Sequence, residues 1–272
     1  MEGAGRLVPG SGRTVDSFGS IGPVALVLVV LVIAGVVGVL AHRANQRRLV
    51  ALQELVAANG WTWLGDDDRW VDAWPVAPFG EGRGRRVREC VAGEYRQVPF
   101  LSFTYEYYTE STTRDANGNT QTTRHWHRFD VAVLRVGAPI PDLHLSPEGV
   151  VSRLLNGLTG RDIDLESDAF NRAFRLHCAD RKFAMDVFNP RTMEYVLSRH
   201  PVSFDFVGGD ALMCRDHRRS STPDVWGPGD PTRPVDEGTA PFDVMLTVLA
   251  GIPDFVWQDR GGKPRVLSEG MR

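Results

Sequence analysis

The chain has 272 residues, with 31 Lys and Arg against 34 Asp and Glu, and a formal net charge of −3 at pH 7. Charge this close to balance, without a sustained basic run, argues against a nucleic-acid-binding protein. The three cysteines are widely spaced and odd in number, so they form no disulfide framework and suit a reducing compartment. The length allows a full hydrophobic core in one large domain or two small ones.

Residues 18–41 form an uncharged stretch rich in Val, Leu and Ile. A helix of that length covers about 36 Å, enough to cross a hydrocarbon core of about 30 Å. The pattern predicts a transmembrane helix that contacts the lipid bilayer. A cleavable signal peptide is the alternative, but its apolar region usually has about 7–15 residues and follows a positively charged segment. Residues 1–17 carry no net positive charge.

The flanking charges predict how the span is oriented. Before it, two arginines are offset by two acids, whereas three arginines follow it with no acid until Glu54. Because Lys and Arg favour the cytoplasmic side, we expect a single pass through the cell membrane with the N-terminus outside. Residues 1–17 would then be a short non-cytoplasmic tail and the C-terminal domain would be cytoplasmic. The predicted topology determinants are Arg43, Arg47 and Arg48.

Helical periodicity continues beyond the apolar stretch. Residues 42–58 are predicted as a juxtamembrane helix with Leu52 and Val56 on its apolar side, ended by Asn59-Gly60. A short strand and a helical turn capped by Asp66 or Asp67 follow. The remainder, residues 59–257, is predicted as one α+β domain with a mainly antiparallel sheet and several helices.

A hairpin is the strongest β signal in this domain. Asp115–Asn119 contains Gly118, which suits a three-residue turn. The turn sets Phe103 opposite Val131, Tyr105 opposite Phe129 and Tyr107 opposite His127. Both strands then present their apolar residues to the same face, and a slip by one residue would separate those faces.

The second half of the domain is predicted to alternate short strands with helices. Ser146-Pro147 resembles the start of a helix that ends at Gly160. Later come a strand around His177, two helices separated by Asn189-Pro190, a hairpin at Gly208-Gly209 and a final amphipathic helix. Two segments lack apolar periodicity: residues 216–238, predicted as a loop or disordered insert, and residues 258–272, predicted as a frayed tail.

The stretch "FNRAFRLHCADRKFAMDVFNPRTMEYVL" at 170–197, with "GEYRQVPF" at 93–100 and the N-terminal span, resembles uncharacterised bacterial single-pass membrane proteins. These are related to a bacterial domain of unknown function. The resemblance covers most of residues 43–257 and implies the same architecture. It implies no catalytic residues.

Two patterns in the sequence resemble binding sites. His125 and His127 share a strand face, as two metal ligands could, but the predicted register sets Thr109 and Tyr107 opposite them, so ordinary strand is favoured and no metal or cofactor site is predicted. The stretch at 80–88 lacks a phosphate-loop pattern. Its arginines either contact anionic lipid or lie in a solvated loop. They are Arg83, Arg85, Arg86 and Arg88.

No residues form a recognisable catalytic set. Cys178 follows His177, but neighbours in a strand point to opposite faces, so a nucleophile pair is disfavoured. The sequence therefore favours a membrane-anchored, non-enzymatic cytoplasmic module that binds a protein partner or the inner leaflet. The alternative is a membrane-tethered, hydrolase-like enzyme whose active site the sequence does not reveal.

Overall fold

The computed structural model describes six stretches of the chain: residues 21–114, 118–137, 139–148, 162–199, 202–216 and 235–269. The chain divides into two units, Met1–Leu49 and Val50–Arg272.

Helix α1 (Ile21–Ala58) supplies the described part of the first unit. Residues 26–47 of this helix are exposed throughout, although most of them are Val, Leu, Ile, Ala or Gly. Among the described residues it is the one helix long and apolar enough to cross a membrane, with a mean hydropathy of 2.5 over its most apolar window. The two helices predicted at 18–41 and 42–58 are therefore one continuous helix from residue 21 onward.

The second unit is built on an antiparallel sheet, as the α+β prediction requires. Its described strands are β1 (Thr62–Gly65), β2 (Arg83–Tyr95), β3 (Val98–Arg114), β4 (Thr120–Leu134), β5 (Leu143–Pro147), β6 (Phe174–Cys178), β7 (Phe204–Val207) and β8 (Asp210–Asp216). They are ordered β1-β2-β3-β4-β8-β7-β5-β6. The predicted fold class is confirmed.

Helices pack on one face of this sheet. They are α2 (Asp168–Ala173), α3 (Arg181–Val187), α4 (Pro190–Ser198), α5 (Val235–Gly251), α6 (Asp254–Gln258) and α7 (Arg265–Glu269). Three of them begin at a side-chain cap: Ser167, Asp180 and Asn189 each accept a hydrogen bond from the backbone N–H three residues ahead. The predicted helix pair around Asn189-Pro190 and the hairpin at Gly208-Gly209 are both present.

The β3–β4 pairing has the predicted register. Phe103 pairs with Val131, Tyr105 with Phe129 and Tyr107 with His127, and no bulge interrupts the ladder. The ladder ends at Arg114 and Thr120, and residues 115–117 of the predicted turn lie outside the described part of the chain.

Each face of the sheet carries its own core. On one face, Phe100 and Leu134 join the larger cluster, into which the helices pack; we call this the helix side. On the other face, Phe103 and Tyr105 join a smaller cluster under residues 70–79, which we call the covering segment. This segment contributes three side chains that are at most 5% exposed, namely Trp74, Val76 and Phe79.

The predicted helix after Ser146 differs from the structure. Ser146 and Pro147 end strand β5, where Ser146 pairs with Arg175 and Pro147 with Phe174. A proline is tolerated at a strand end because the ladder loses only one donor there. The rest of that predicted helix, at residues 149–160, lies outside the described residues.

Two predicted boundaries also differ. Helix α5 begins at Val235, inside the predicted insert of 216–238, whose residues 217–234 are not described. Residues 258–269 are not frayed over their length, since α7 forms there and Leu267 is fully buried. A single buried leucine has no periodicity that a sequence pattern could detect, which explains the difference.

The different burial of Phe103 and Phe129 in the smaller cluster predicts that their truncation lowers the free energy of unfolding by different amounts. Phe103 is 4% exposed and its ring stacks on Trp74 with centroids 6.1 Å apart, whereas Phe129 is half-buried at the edge of the same cluster. We expect Phe103→Ala to lower the free energy of unfolding by about 3–5 kcal/mol and Phe129→Ala by clearly less. Urea denaturation of the fragment beginning at Val50 measures both, and equal losses would contradict the assigned burial.

Candidate functional site

Three neighbouring strands carry a layered set of arginines, glutamates and aromatic rings on the helix side, beyond the larger core. Glu106 pairs with Arg86 on one side and Arg128 on the other; Tyr108 pairs with Arg83 and Trp126. We call this surface the arginine–aromatic face. Its members are Arg83 and Arg86 of β2, Glu106, Tyr108 and Glu110 of β3, and Arg124, Trp126 and Arg128 of β4.

Glu106 is the buried anchor of this face, at 5% exposure. Its Oε2 accepts from Arg86 Nε at 2.7 Å, and its Oε1 lies 2.6 Å from Arg128 Nη2. Burial by itself would raise the pKa of this carboxyl, but the hydrogen bonds and charges of the two arginines outweigh it and lower the pKa. A buried carboxylate is tolerated because both oxygens are paired.

Glu110 repeats the arrangement nearer the hairpin end, with more exposure. Its Oε1 accepts from Arg124 Nε at 3.0 Å, and its Oε2 lies 3.5 Å from Arg83 Nη1. The side chains of Arg83 and Arg124 are 78% and 60% exposed, so each contact is worth at most about 1 kcal/mol. An external anion can therefore compete with Glu110 at little cost in stability.

Aromatic rings hold two of the guanidinium groups in place. Tyr108 and Trp126 meet edge to face with centroids 5.2 Å apart. The Arg86 guanidinium lies 4.5 Å from the Trp126 ring centroid, and that of Arg124 lies 4.7 Å from the Tyr108 ring centroid. A stacked guanidinium keeps its five N–H donors in a fixed plane, and the contacts with Glu106 and Glu110 engage Nε of each arginine.

Of the two alternatives for the stretch at 80–88, a solvated loop does not describe its arginines, because β2 already begins at Arg83. Gly82 and Gly84 have φ of +61° and +60°, and a Cβ on either would overlap the rings of Tyr107 and Tyr108, respectively. The glycines thus let two tyrosine rings pack on the β2 backbone. The alternation of Gly and Arg, which resembles a flexible loop in sequence, is a steric requirement of this strand.

The four arginines at 83–88 are close in sequence, but they do not form one group in the structure. Arg83 and Arg86 lie on the arginine–aromatic face, whereas Arg85 reaches Asp72 on the other side of the sheet, with Nη1 2.9 Å from Oδ1. Arg88 forms an ion pair with Asp66. Lipid contact by these arginines stays a prediction, now for a face that Arg124 and Arg128 complete.

The sequence analysis missed Arg124, Arg128 and Trp126 as members of this face. The predicted register contained the signal, since it sets Arg124 opposite Glu110 and Arg128 opposite Glu106. Charge pairs directly across strands are stabilising neighbours. The prediction rests on the apolar face of the hairpin alone.

The carboxylates of Asp66–Asp68 accept hydrogen bonds from backbone N–H groups. Asp67 caps a short 3-10 helix (Asp68–Trp70) and accepts from Arg69 N, as predicted, and the hydrogen bond from Arg69 lowers the pKa of Asp67. Asp68 accepts from Val87 N at 3.0 Å and Asp66 from Glu89 N at 3.4 Å. The carboxylates therefore bind N–H groups of β2.

His125 and His127 lie in β4, opposite Thr109 and Tyr107 as predicted. His127 Nε2 is 3.0 Å from Thr109 Oγ1, and its ring stacks on Tyr107 with centroids 4.7 Å apart. His125 Nε2 is 2.9 Å from Ser111 Oγ. Within the described stretches, no three His, Cys, Asp or Glu side chains are grouped so that they could hold a metal ion.

The cysteines are poor nucleophiles in this fold. Cys178 joins the larger core while His177 points to the other face, as alternation predicts. Burial raises the pKa of Cys90 to about 12 and raises the pKa of Cys178 and Cys214 as well. A thiol with a raised pKa carries little thiolate at neutral pH.

The predicted topology determinants lie on α1. Arg43 and Arg47 are exposed, and Arg48 is half-buried. They follow the apolar residues of the helix, but this placement does not determine the orientation of the helix in a membrane.

Comparisons with known proteins give little further information. No protein-family model matches the chain, and no curated protein matches it. Among solved structures it is similar to the crystal structure of the mycobacterial trehalose monomycolate transport factor A, with a TM-score of 0.47 and 12% identity. The alignment covers 77% of this chain and 96% of the other. At that level of similarity no function is transferred.

Glycine 84 offers a test of how β2 meets Tyr108. Gly84→Ala adds both backbone strain and overlap with the ring, whereas Gly137→Ala adds strain at a similar φ of +64° with nothing within 4 Å. We expect the Gly84 substitution to cost about 1–3 kcal/mol more than the Gly137 substitution, the usual penalty of overpacking. Urea denaturation of both variants measures the difference, and equal costs would show that the ring does not pack on Gly84.

Proposed function

We propose that the chain is a membrane-anchored, non-enzymatic binding module whose arginine–aromatic face contacts anionic phospholipid headgroups. The observation that carries the proposal is the grouping of four arginines with only two glutamates around the aromatic pair of Tyr108 and Trp126. The chain as a whole has a net charge of −3, so this surface departs from the average. Trp126 is 41% exposed.

The chemistry of a membrane surface suits these residues. Trp and Tyr are enriched where a bilayer meets water, because their rings have an apolar body and a polar edge. Arginines near an anionic leaflet contribute about 1 kcal/mol each. Guanidinium groups also bind phosphate oxygens through pairs of parallel donors.

Two alternatives are weaker. A protein partner with an acidic segment would use the same arginines, and the lipid experiment below separates the two. A hydrolase would need a nucleophile held by a base, and the raised pKa values of all three cysteines do not favour thiol chemistry.

Glu110 gives the sharpest test, because it neutralises two arginines at the surface. Glu110→Gln should tighten binding of the Val50–Arg272 fragment to vesicles of phosphatidylcholine with phosphatidylserine by about fivefold, the equivalent of about 1 kcal/mol per surface charge. Arg83→Gln with Arg124→Gln should weaken it by about thirtyfold. Sedimentation with the vesicles measures both, and binding should fall as salt rises.

A matched control separates site from net charge. Glu148 binds Arg175 through two contacts of 2.7 Å elsewhere on the domain. Glu148→Gln changes net charge equally and should leave vesicle binding unchanged. If Glu110→Gln and Glu148→Gln act alike, lipid binding does not occur at this face, and a protein ligand becomes the better hypothesis.

We also propose that the domain lies on the cytoplasmic side, supported by Arg43, Arg47 and Arg48 after the apolar stretch. Native cysteines report poorly on this because Cys90 and Cys178 are buried. A cysteine at the exposed Thr122 should resist a membrane-impermeant maleimide in intact cells and react after permeabilisation. Labelling above the wild-type background in intact cells would show the opposite orientation.

A further inference from the structure

Four titratable side chains form a row across the other end of the sheet. Asp162 bridges to His177 of β6, His177 pairs with His144 of β5, and His144 pairs with Asp205 of β7. Directly paired residues of adjacent strands share a face. The four side chains therefore lie side by side, on the face opposite the helices.

Each histidine of the row lies close to one carboxylate, but only the His144–Asp205 contact is a hydrogen bond, and His177 Nε2 has no hydrogen-bond partner among the described residues. His144 Nδ1 is 2.9 Å from Asp205 Oδ1, and His177 Nε2 is 2.9 Å from Asp162 Oδ1. The side chains of His144, Asp205 and His177 are 9%, 13% and 15% exposed, whereas Asp162 is 58% exposed. The side chains of His144 and Asp205 are therefore largely shielded from water.

One atom of this pair is unsatisfied. With Nδ1–H donating to an ionised Asp205, the neutral imidazole of His144 keeps a lone pair on Nε2. That Nε2 is buried and has no hydrogen-bond partner among the described residues. The unprotonated pair is then a buried net negative charge, which is costly, and one added proton makes the pair neutral whichever residue holds it.

Two charged side chains near this pair, those of Arg175 and Asp142, form their contacts with other groups. Arg175 of β6 is bound to Glu148, and Asp142, beside β5, accepts from Gly208 N at 3.2 Å. From β8, the thiol of Cys214 is close enough that the charge of Asp205 contributes to its raised pKa. No cation among these groups neutralises Asp205.

We propose that the His144–Asp205 pair is a proton-binding device that stabilises the β5–β7 pairing as pH falls. The two histidines are direct cross-strand neighbours, so a proton on one opposes a proton on the other. Binding of this proton would therefore stabilise the edge of the sheet where β5 pairs with β7.

The direction of the pKa shift of Asp205 agrees with this proposal. Burial raises its pKa, and the hydrogen bond and charge of His144 offset this only in part. A group whose pKa is raised in the folded state binds its proton more tightly there than in the unfolded chain. Stability is then highest below the unfolded pKa and is lost as pH rises through the folded one.

The test is the pH dependence of unfolding of the full-length protein in detergent between pH 4.5 and 8.5. One proton bound only by the folded pair changes the unfolding equilibrium constant by about tenfold per pH unit within its window. Asp205→Asn keeps an acceptor for Nδ1–H but is neutral at every pH. It should remove this slope and match or exceed the wild-type melting temperature at pH 8.5.

The hairpin histidines, His125 and His127, provide the control. His125→Gln with His127→Gln should leave the slope intact, because neither lies in the row. An unchanged slope in Asp205→Asn, or its loss in the hairpin variant, would overturn the proposal.

If Asp205→Asn does not fold, imidazole 15N shifts of the wild-type protein decide. The 15N resonances of one histidine of the seven should shift in step with the stability change. Those resonances should persist in the hairpin variant. Uniform titration of all seven, independent of stability, would also overturn the proposal.

Discussion

The uninterrupted pairing of β3 with β4 is the constraint on which both faces of the sheet depend. Fifteen consecutive pairs, from Phe100 with Leu134 to Arg114 with Thr120, keep one register. Side chains alternate with a period of two, so a slip of one residue would turn Tyr105 out of its core and Glu106 into it. Tyr105 is fully buried beneath the covering segment, and that exchange would be costly.

The arginine–aromatic face adds its own penalty against such a slip. Glu106 is a buried carboxylate whose two oxygens are each bound by an arginine from a different strand. Removing one partner from a buried ion pair typically costs about 3–5 kcal/mol, because the remaining charge stays desolvated. Replacing a whole buried ion group by apolar residues often costs nothing in stability, so the charges specify the register more than they add stability.

The sequence could predict the features that repeat along the chain. Alternation of apolar residues in β3 and β4 determines the hairpin register, and Asn189-Pro190 determines where α4 begins. The glycines at 82 and 84 are compatible in sequence with a flexible loop or with close packing against another group. The positions of the tyrosine rings show that they allow close packing. Those rings come from the next strand, which a local pattern does not include.

The candidate sites were harder to predict for the same reason. Arg85 and Arg86 are adjacent in sequence but bind acids on opposite faces, Asp72 and Glu106. The row from Asp162 to Asp205 joins four separate segments, and its members stand in no common motif. Prediction from sequence found the strands that carry His177 and Asp205 but not β5, and the order β8-β7-β5-β6 that brings these residues together required the structure.

The two charged sites lie on opposite faces of one sheet, which bears on whether they communicate. Between them, Asp205 pairs with Leu212 of β8, and Leu212 pairs with Val133 of β4. Both of these apolar residues are fully buried in the smaller core, so no chain of charged groups connects the row to Glu106 through them. Sites that share no partners usually contribute additively. Proton uptake at the row should therefore change the stability of the domain without changing the affinity of the arginine–aromatic face, unless strand pairing itself gives way.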